Sequence, residues 1–366
     1  NVENHDVDIG DDGTRTSPSG AGAIQKGTGA NLSGLRLLSG HVADRNAEKL
    51  ASSLTRLVSS LQAEGSSSTL IRHVLGDSND VSDTDMLILQ HPDLRSSLSS
   101  LLSKVCDDGK IRGRVISCGA ITNRMTHHSP NLAQVPSVSA PYGAECRELW
   151  TVDPGHKLVG IDASGLELRM LAHYMNDDNY TREILDGDIH SKNQQAAGLD
   201  TRAKAKTFIY AFIYGAGATK IGSIIGGTAK HGQRLIDNFL QSLPALAELR
   251  KAVDKQAATG YIQGLDGRRL HVRHQHAAMN LLLQGAGAII CKQWVVSINK
   301  LIRDHKIDAK LVASIHDEYQ FDCAKDQADR FGRLTQKAMK ITEKELNVRC
   351  PLDSEYKVGR NWSETH

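Results

Sequence analysis

The sequence predicts an α+β fold, and three observations carry that prediction. Strand-like stretches fall at about 107–120, 157–162 and 311–323, where Val, Ile, Tyr and Phe either alternate with polar residues or run as short apolar blocks. Between the second and third stretches the spacing is helical, strongly so over 201–214 and onward to about 255. The apolar run 280–305 then reads as one long buried helix, and no internal repeat divides the chain.

Taken in order, residues 1–34 are rich in Gly, Ser, Thr, Asp and Asn, and the segment up to about residue 40 is expected to be disordered. Residues 41–63 place Leu50, Leu54, Leu57, Val58 and Leu61 at helical spacing, and 82–105 do the same with Leu94, Leu98, Leu101 and Leu102. "GKIRGRVISCGAIT" alternates and reads as strands joined by a turn, and "NLAQVPSVSAPYG" (131–143) reads as loop. "KLVGIDASGLELRMLAHYM" passes from a buried strand into a helix. "YIQGLDGRRLHV" has the form of a hairpin turning at Asp266-Gly267. A strand pair at 311–323 and a helix at 326–346 follow.

Bulk properties bound the function. A chain of 366 residues holds two or three domains or one multi-lobed one. Hydrophobic content of 40% with 23% charged residues fits a soluble globular protein without a membrane partner. Residue 1 is Asn and the first Met is Met86, as expected of a processed product or a fragment, and no secretory signal is visible at the start. Six scattered cysteines form no Cys-x-x-Cys pair, which fits free thiols in a reducing compartment. The expected location is cytoplasmic, within a bacterial host cell if the protein is viral, with an organelle or nucleus as alternatives. The formal net charge is only +2, but from Thr201 to Asn280 there are 12 Lys and Arg against 4 Asp and Glu, together with four His. That local excess suits phosphate or nucleic acid, and ordinary solvated helix faces would also produce it.

Three stretches carry the chemistry. In "LVASIHDEYQFD" (311–322), Asp317 and Glu318 stand side by side inside an apolar strand or hairpin. Like charges in contact resist ionisation, and a bound divalent cation would remove that objection. A tight turn with two solvated acids is the alternative. In "VGIDASGLELR" (159–169), Asp162 ends a strand and is placed either to hold a metal or to cap the next helix, with Glu167 five residues on. In "TRAKAKTFIYAFIYGAG" (201–217), Thr201 can cap a helix whose Arg202, Lys206, Tyr210 and Tyr214 recur every four residues along one face. Arg202 to Tyr210 spans about 12 Å at about 1.5 Å per residue. That is the reach of a triphosphate followed by sugar and base, with the two cations on phosphate and the aromatic ring beyond them. Gly215 and Gly217 are expected to end the helix and allow close backbone approach.

Together these stretches resemble the polymerase core of family A DNA polymerases. "DASGLELR" is similar to the first palm motif of that family, Arg-x3-Lys-x3-aromatic-x3-Tyr-Gly (202–215) to its fingers helix, and His316-Asp317-Glu318 to its second palm motif, in the family's order and spacing. "DGDIHSKN" (186–193), "GLDGRRLHVR" (264–273), "NLLLQGAGAIICK" (280–292) and "CPLDSEYKVGRNW" (350–362) resemble the phage branch, and the likeness covers about 107–366. The implied architecture is a right hand with an antiparallel palm sheet: palm at 107–175 and 280–366, fingers at 176–279, and a short or incomplete thumb in the helical segment 41–106. The implied activity is template-directed DNA synthesis on a primer 3′ end by two-metal-ion nucleotidyl transfer.

The resemblance also implies roles, position by position. Asp162, Asp317 and the backbone carbonyl of Ala163 would hold two Mg²⁺ ions, with Lys206 joining the catalytic set and Glu318 in it as a secondary group, behind the metal ligands or a weaker one. His190, Arg202, Lys206 and Tyr210 would bind the dNTP. Glu167 would pack under the sugar with Tyr210 and exclude a 2′-hydroxyl, and Tyr at 210 implies tolerance of dideoxynucleotides. Arg124, Gln134, Tyr214, Arg268, Asn280, Gln284 and His316 would contact primer or template, with Arg269 on backbone phosphate. Asn123 stands where the family usually has Gly, so a different local turn is expected. Primer–template DNA and dNTPs are the implied partners, with a processivity factor, a helicase or a separate exonuclease as further candidates. The residues before 107 show no set of exonuclease acids, so no proofreading is expected from this chain. Two other readings stand beside this one. A single-subunit RNA polymerase shares the palm and the Arg-Lys-Tyr-Gly helix, but Glu167 and the His-Asp-Glu order argue against it. A catalytically impaired nucleic-acid-binding remnant, or a subunit of a larger replicase, is the other.

Overall fold

Four strands from two distant parts of the chain meet in the sheet that carries the candidate acids. The computed structural model describes residues 35–37, 104, 106, 110–140 and 143–366, all within one compact unit spanning Leu32–His366. Apart from residue 104, the helices expected at 41–63 and 82–105 lie outside the described residues, as does nearly all of the segment expected to be disordered. One part of that segment is corrected. β1 (Leu35–Leu37) is a strand, paired antiparallel with β2 (Lys110–Ile111) and β5 (Trp150–Thr151). Backbone pairing across two other strands satisfies its amides and outweighs its polar sequence neighbourhood.

The elements then follow in order. β3 (Arg114–Ile116) pairs with β4 (Thr126–His128), and a 3₁₀ turn at Leu132–Gln134 leads to α1 (Gly143–Glu148). Beyond β5 come β6 (His156–Ala163) and α2 (Leu166–Met175). A helical block follows: α3 (Asp178–Leu185), α4 (Ile189–Ala197), α5 (Arg202–Ile213), α6 (Ala218–Ile224), α7 (Ala229–Ser242) and α8 (Pro244–Ala257). The expected hairpin is β7 (Tyr261–Gln263) with β8 (Arg269–His271), and Gly267 in its turn takes a φ of 81°. The chain closes with α9 (Ala278–His305), β9 (Ala309–Ile315), β10 (Glu318–Ala324), α10 (Ala328–Glu345) and β11 (Ser354–Gly359).

The main sheet is antiparallel in the order β11-β6-β10-β9. On one face Val159 and Ile161 of β6 lie beside Phe321 and Tyr319 of β10 and pack on α9 and α10. Trp294 of α9 meets Tyr319 edge-on and donates its indole N–H to the Thr335 carbonyl at 2.8 Å. Fully burying a side chain of this size contributes about 1.5–3 kcal/mol. On the other face Leu158 joins Trp150, Val152 and Trp362 in a second core. Both faces of β10 are therefore covered, so the polar Glu318, Gln320 and Asp322 are buried along with the alternating Tyr319, Phe321 and Cys323.

At Gly160 any Cβ would collide with the Thr365 carbonyl and the Gln320 amide, so glycine lets the 362–366 segment lie directly on the sheet. α9 is long and apolar enough to cross a membrane by length and composition, but 78% of that stretch is buried inside this fold. All six cysteines are free, as expected.

Candidate active site

The β9–β10 hairpin turns on two residues, His316 and Asp317, and His316 takes a φ of 58°. The Ala163 N–H donates to the Asp317 carbonyl at 3.2 Å, and Asp162 lies opposite Glu318 in the ladder. Residues 155 positions apart in sequence thus become neighbours at one end of the sheet. Ala163, the last residue of β6, is buried and pairs with Ser354. Asp162 opens to solvent yet is crowded by protein. Burial first, then the charges of Asp317 and Glu318, raise its pKa to about 7. Burial also raises Asp317, with Glu167 adding to the rise while Arg124 and His316 oppose it. Two carboxylates that resist sharing negative charge fit a hard cation taking oxygen ligands. Among the described residues no group of three or more His, Cys, Asp or Glu forms a ready metal cluster. A Mg²⁺ held by one or two carboxylates normally completes its shell with water and substrate phosphate.

Glu318, expected in the catalytic set as a secondary group, is committed inside the protein and is not free to act as a direct metal ligand. It is buried, and its Oε1 accepts from the Trp362 indole at 2.6 Å and the Gln320 amide at 2.7 Å. Its Oε2 lies 2.7 Å from His366 Nδ1 and 3.6 Å from Arg147 Nη1. Burial pushes its carboxyl up, but the bonds from His366, Trp362 and Gln320 outweigh that and hold it below the ordinary value. Both oxygens are committed inside the protein, so Glu318 anchors the hairpin rather than standing free beside Asp162 and Asp317.

Glu167 is held by two partners. It was expected to pack under a sugar with Tyr210, and its Oε1 accepts from Tyr214 OH and from Arg124 Nη2, each at 3.0 Å. The reason is helical. The rows at 210 and 214 share a face, but Tyr214 sits at the C-terminus of α5, next to the first turn of α2 where Glu167 lies. Tyr210 remains close enough for the charges of Glu167 and Asp317, after burial, to raise its pKa. Arg124 follows Asn123, which takes a φ of 58°. Asn thus supplies the left-handed backbone that glycine favours.

α5 begins as predicted, with the Thr201 hydroxyl accepting from the Lys204 amide at 3.3 Å. It ends at Gly215, whose φ of 77° and contact with the His276 carbonyl leave no room for a Cβ. Gly217, expected to help end the helix, instead caps the start of α6. Arg202 and Lys206 are exposed, and Tyr210 is half-buried. His190 on α4 lies 6.4 Å from Tyr210 between ring centroids. Burial, then Arg202 and Lys206, lower the His190 pKa, and its buried Nδ1 has no hydrogen-bond partner among the described residues.

The remaining predicted contacts are spread around this centre. His316, Asp317, Arg124, Leu166, Cys291 and Lys292 line one cleft. Asn280 and Gln284 lie half-buried on α9, and the buried Asn280 Oδ1 has no partner among the described residues. Gln134 is exposed at the end of its 3₁₀ turn. Arg268 pairs with Asp266 at 2.6 Å, and Arg269 stacks over Tyr261 at 4.6 Å. Sequence reasoning passed over Arg147, Trp362 and Asp188. The last was readable as a helix cap two residues before His190. The first two become visible only once the Arg147 guanidinium lies 4.4 Å over the Trp362 ring.

Comparison with known proteins places this arrangement. Residues 61–364 match the sequence profile of DNA polymerase family A, and the chain belongs to that family. It is of the phage type. It is 44% identical over 300 residues to the DNA-directed DNA polymerase of Enterobacteria phage T3, covering 72% of this chain and 42% of that protein. It is 43% identical over 300 residues to the DNA-directed DNA polymerase of Escherichia phage T7, with the same coverage of each. Identity to the thermostable DNA polymerase I of Thermus aquaticus is 27%, over 75% of this chain and 36% of that one. The chain thus spans less than half the length of these relatives. In fold it is similar to the POL domain of Pol1 from M. smegmatis, solved in complex with DNA primer-template and dNTP. The TM-score is 0.70 at 20% identity, over 90% of this chain and 68% of that one. The right-hand α+β polymerase fold expected from the sequence is the fold observed.

Proposed function

We propose that this chain is a DNA-directed DNA polymerase that extends a primer 3′ end on a template and does not itself proofread. One observation supports the reading: Asp162 and Asp317 are neighbours at one end of the sheet, and Tyr210 of α5 lies close enough to feel the Asp317 charge. The palm would comprise 107–175 and 280–366, and the fingers 176–279. Asp162 and Asp317, with the Ala163 carbonyl, would hold two Mg²⁺ ions. Bound there, divalent cations lower the pKa of the primer hydroxyl and offset charge on the leaving pyrophosphate.

The chain's own residues bind and orient the substrates. Arg202 forks onto phosphate oxygens and Lys206 adds a point charge. His190, close enough to Arg202 and Lys206 to feel their charges, is a further contact for phosphate. Tyr210 meets the sugar and base. Glu167, held by Arg124 and Tyr214, closes the space a 2′-hydroxyl would need. Asn280, whose buried Oδ1 has no partner among the described residues, and Gln284 face the duplex, where contacts shared by all base pairs sense pairing geometry and not sequence. Arg268, Arg269, Gln134 and His316 serve backbone phosphate.

Primer extension with Mg²⁺ tests this, comparing wild type with Asp317→Ala and supplying dNTPs and rNTPs separately. Extension with dNTPs alone, lost in the variant, is expected. DNA binding without any extension by the folded wild type would reduce the chain to a binding subunit. A 3′-mismatched primer incubated without dNTPs is expected to keep its length.

A further inference from the structure

Asp188 is the cap of α4: its Oδ1 accepts from the His190 amide at 3.1 Å, and its Oδ2 from the Ser191 hydroxyl at 2.7 Å. The same carboxylate takes Arg202 in a two-point grip, Nε to Oδ2 at 2.7 Å and Nη2 to Oδ1 at 3.1 Å. A guanidinium fork holds phosphate oxygens in the same planar geometry. Arg202, the first cation of the predicted nucleotide face, is therefore already filled by an internal anion. Among the described residues Lys206 has no ion pair, and His190 stands beside both cations. A triphosphate approaching α5 meets an arginine bound to Asp188 and a negative charge where its own must go.

We propose that Asp188 is a positioning residue that competes with the incoming triphosphate for Arg202, and so sets the apparent affinity for nucleotide. This rests on the nucleotide reading of α5. The carboxylate holds the Arg202 fork in place on the face of α5 and keeps weak phosphate ligands off it. A triphosphate displaces it because several phosphate oxygens also engage Lys206 and His190. The Asp188 contact is thus a threshold favouring ligands that reach beyond Arg202 alone.

Asp188→Asn tests this, because Asn still caps the helix through Oδ1 but cannot compete as an anion. In primer extension the KM for dNTP is expected to fall about two- to fivefold, the range an exposed ion pair supports. kcat is expected to change less than KM, and inhibition by inorganic pyrophosphate to strengthen. Asp186→Asn removes the same charge two residues away without an ion pair to Arg202, and should leave KM within about twofold. An unchanged or raised KM in folded Asp188→Asn, or an equal fall in Asp186→Asn, would overturn the inference and leave the polymerase reading standing. Failure of the wild type to extend at all is a different result and would overturn the polymerase reading itself.

Discussion

Glu167 Oε1 accepts two hydrogen bonds at 3.0 Å, one from the Arg124 guanidinium and one from the Tyr214 hydroxyl. A single oxygen thereby joins the loop before β4, the first turn of α2 and the last turn of α5. Its position is fixed from three directions, which is what a side chain needs if it is to reject a sugar hydroxyl by occupying space. Burial, and then the Glu167 charge, push the Tyr214 phenol up to about 12, so it donates throughout the working range of pH.

Glu167→Ala should therefore raise rNTP incorporation relative to dNTP in single-nucleotide extension. Tyr214→Phe removes one bond, worth about 1 kcal/mol, and should loosen discrimination about fivefold or less. Equal selectivity in wild type and Glu167→Ala would remove Glu167 from the sugar site.

Asp162 gives a prediction about stability without metal. Its folded pKa of about 7 lies above the ordinary aspartate value, so the native state binds more protons than the unfolded state between the two. Its contribution to stability therefore falls as pH rises from about 4 to about 7. In chelator at pH 8, Asp162→Asn should melt higher than wild type by about 2 °C or more, while extension is abolished. Calorimetry across pH checks both sign and window, and equal melting at pH 8 would contradict the raised pKa.

The buried Arg147–Glu318 contact gives another. Removing one partner of a buried pair costs about 3–5 kcal/mol because the other charge is stranded. Arg147→Ala should show that loss in chemical denaturation, and Arg147→Ala with Glu318→Gln should recover part of it. Because Glu318 is held below its ordinary pKa, its contribution is present above about pH 4.5 and is lost as pH falls through the lower folded value. Glu318→Gln should accordingly show a weaker loss of stability in acid than wild type.

Tyr210 offers a test at the nucleotide. If its hydroxyl substitutes for the missing 3′-hydroxyl of a dideoxynucleotide, Tyr210→Phe should lower ddNTP use relative to dNTP by about ten- to a hundredfold. That is the value of one hydrogen bond to a charged group. Ratios of terminated to extended product measure it, and an unchanged ratio would place the hydroxyl elsewhere.

Much of this was legible in the sequence because it is local. The Thr201 cap, the fourfold spacing of Arg202, Lys206, Tyr210 and Tyr214, the Asp266-Gly267 turn and the apolar run of α9 are each set by neighbours within a few residues. β11 escaped notice because "SEYKVG" carries charge and becomes a strand only by pairing with β6. β1 escaped for the same reason, its backbone partners lying at 110–111 and 150–151.

The sequence alone determined the inventory: two acids in strand-like settings, a helix with cations passing to aromatics, and their order along the chain. Only the tertiary structure decided which groups are free and which are already taken. Glu318 and Asp317 are adjacent letters, yet one is sealed under Trp362 and the other turns toward Asp162, because the hairpin ends between them. Arg202 is in Asp188's grip and Glu167 in that of Tyr214 and not Tyr210. Such choices depend on a few ångströms between elements distant in sequence. Hydrogen bonds and ion pairs fall off over that range, and residue order does not encode it.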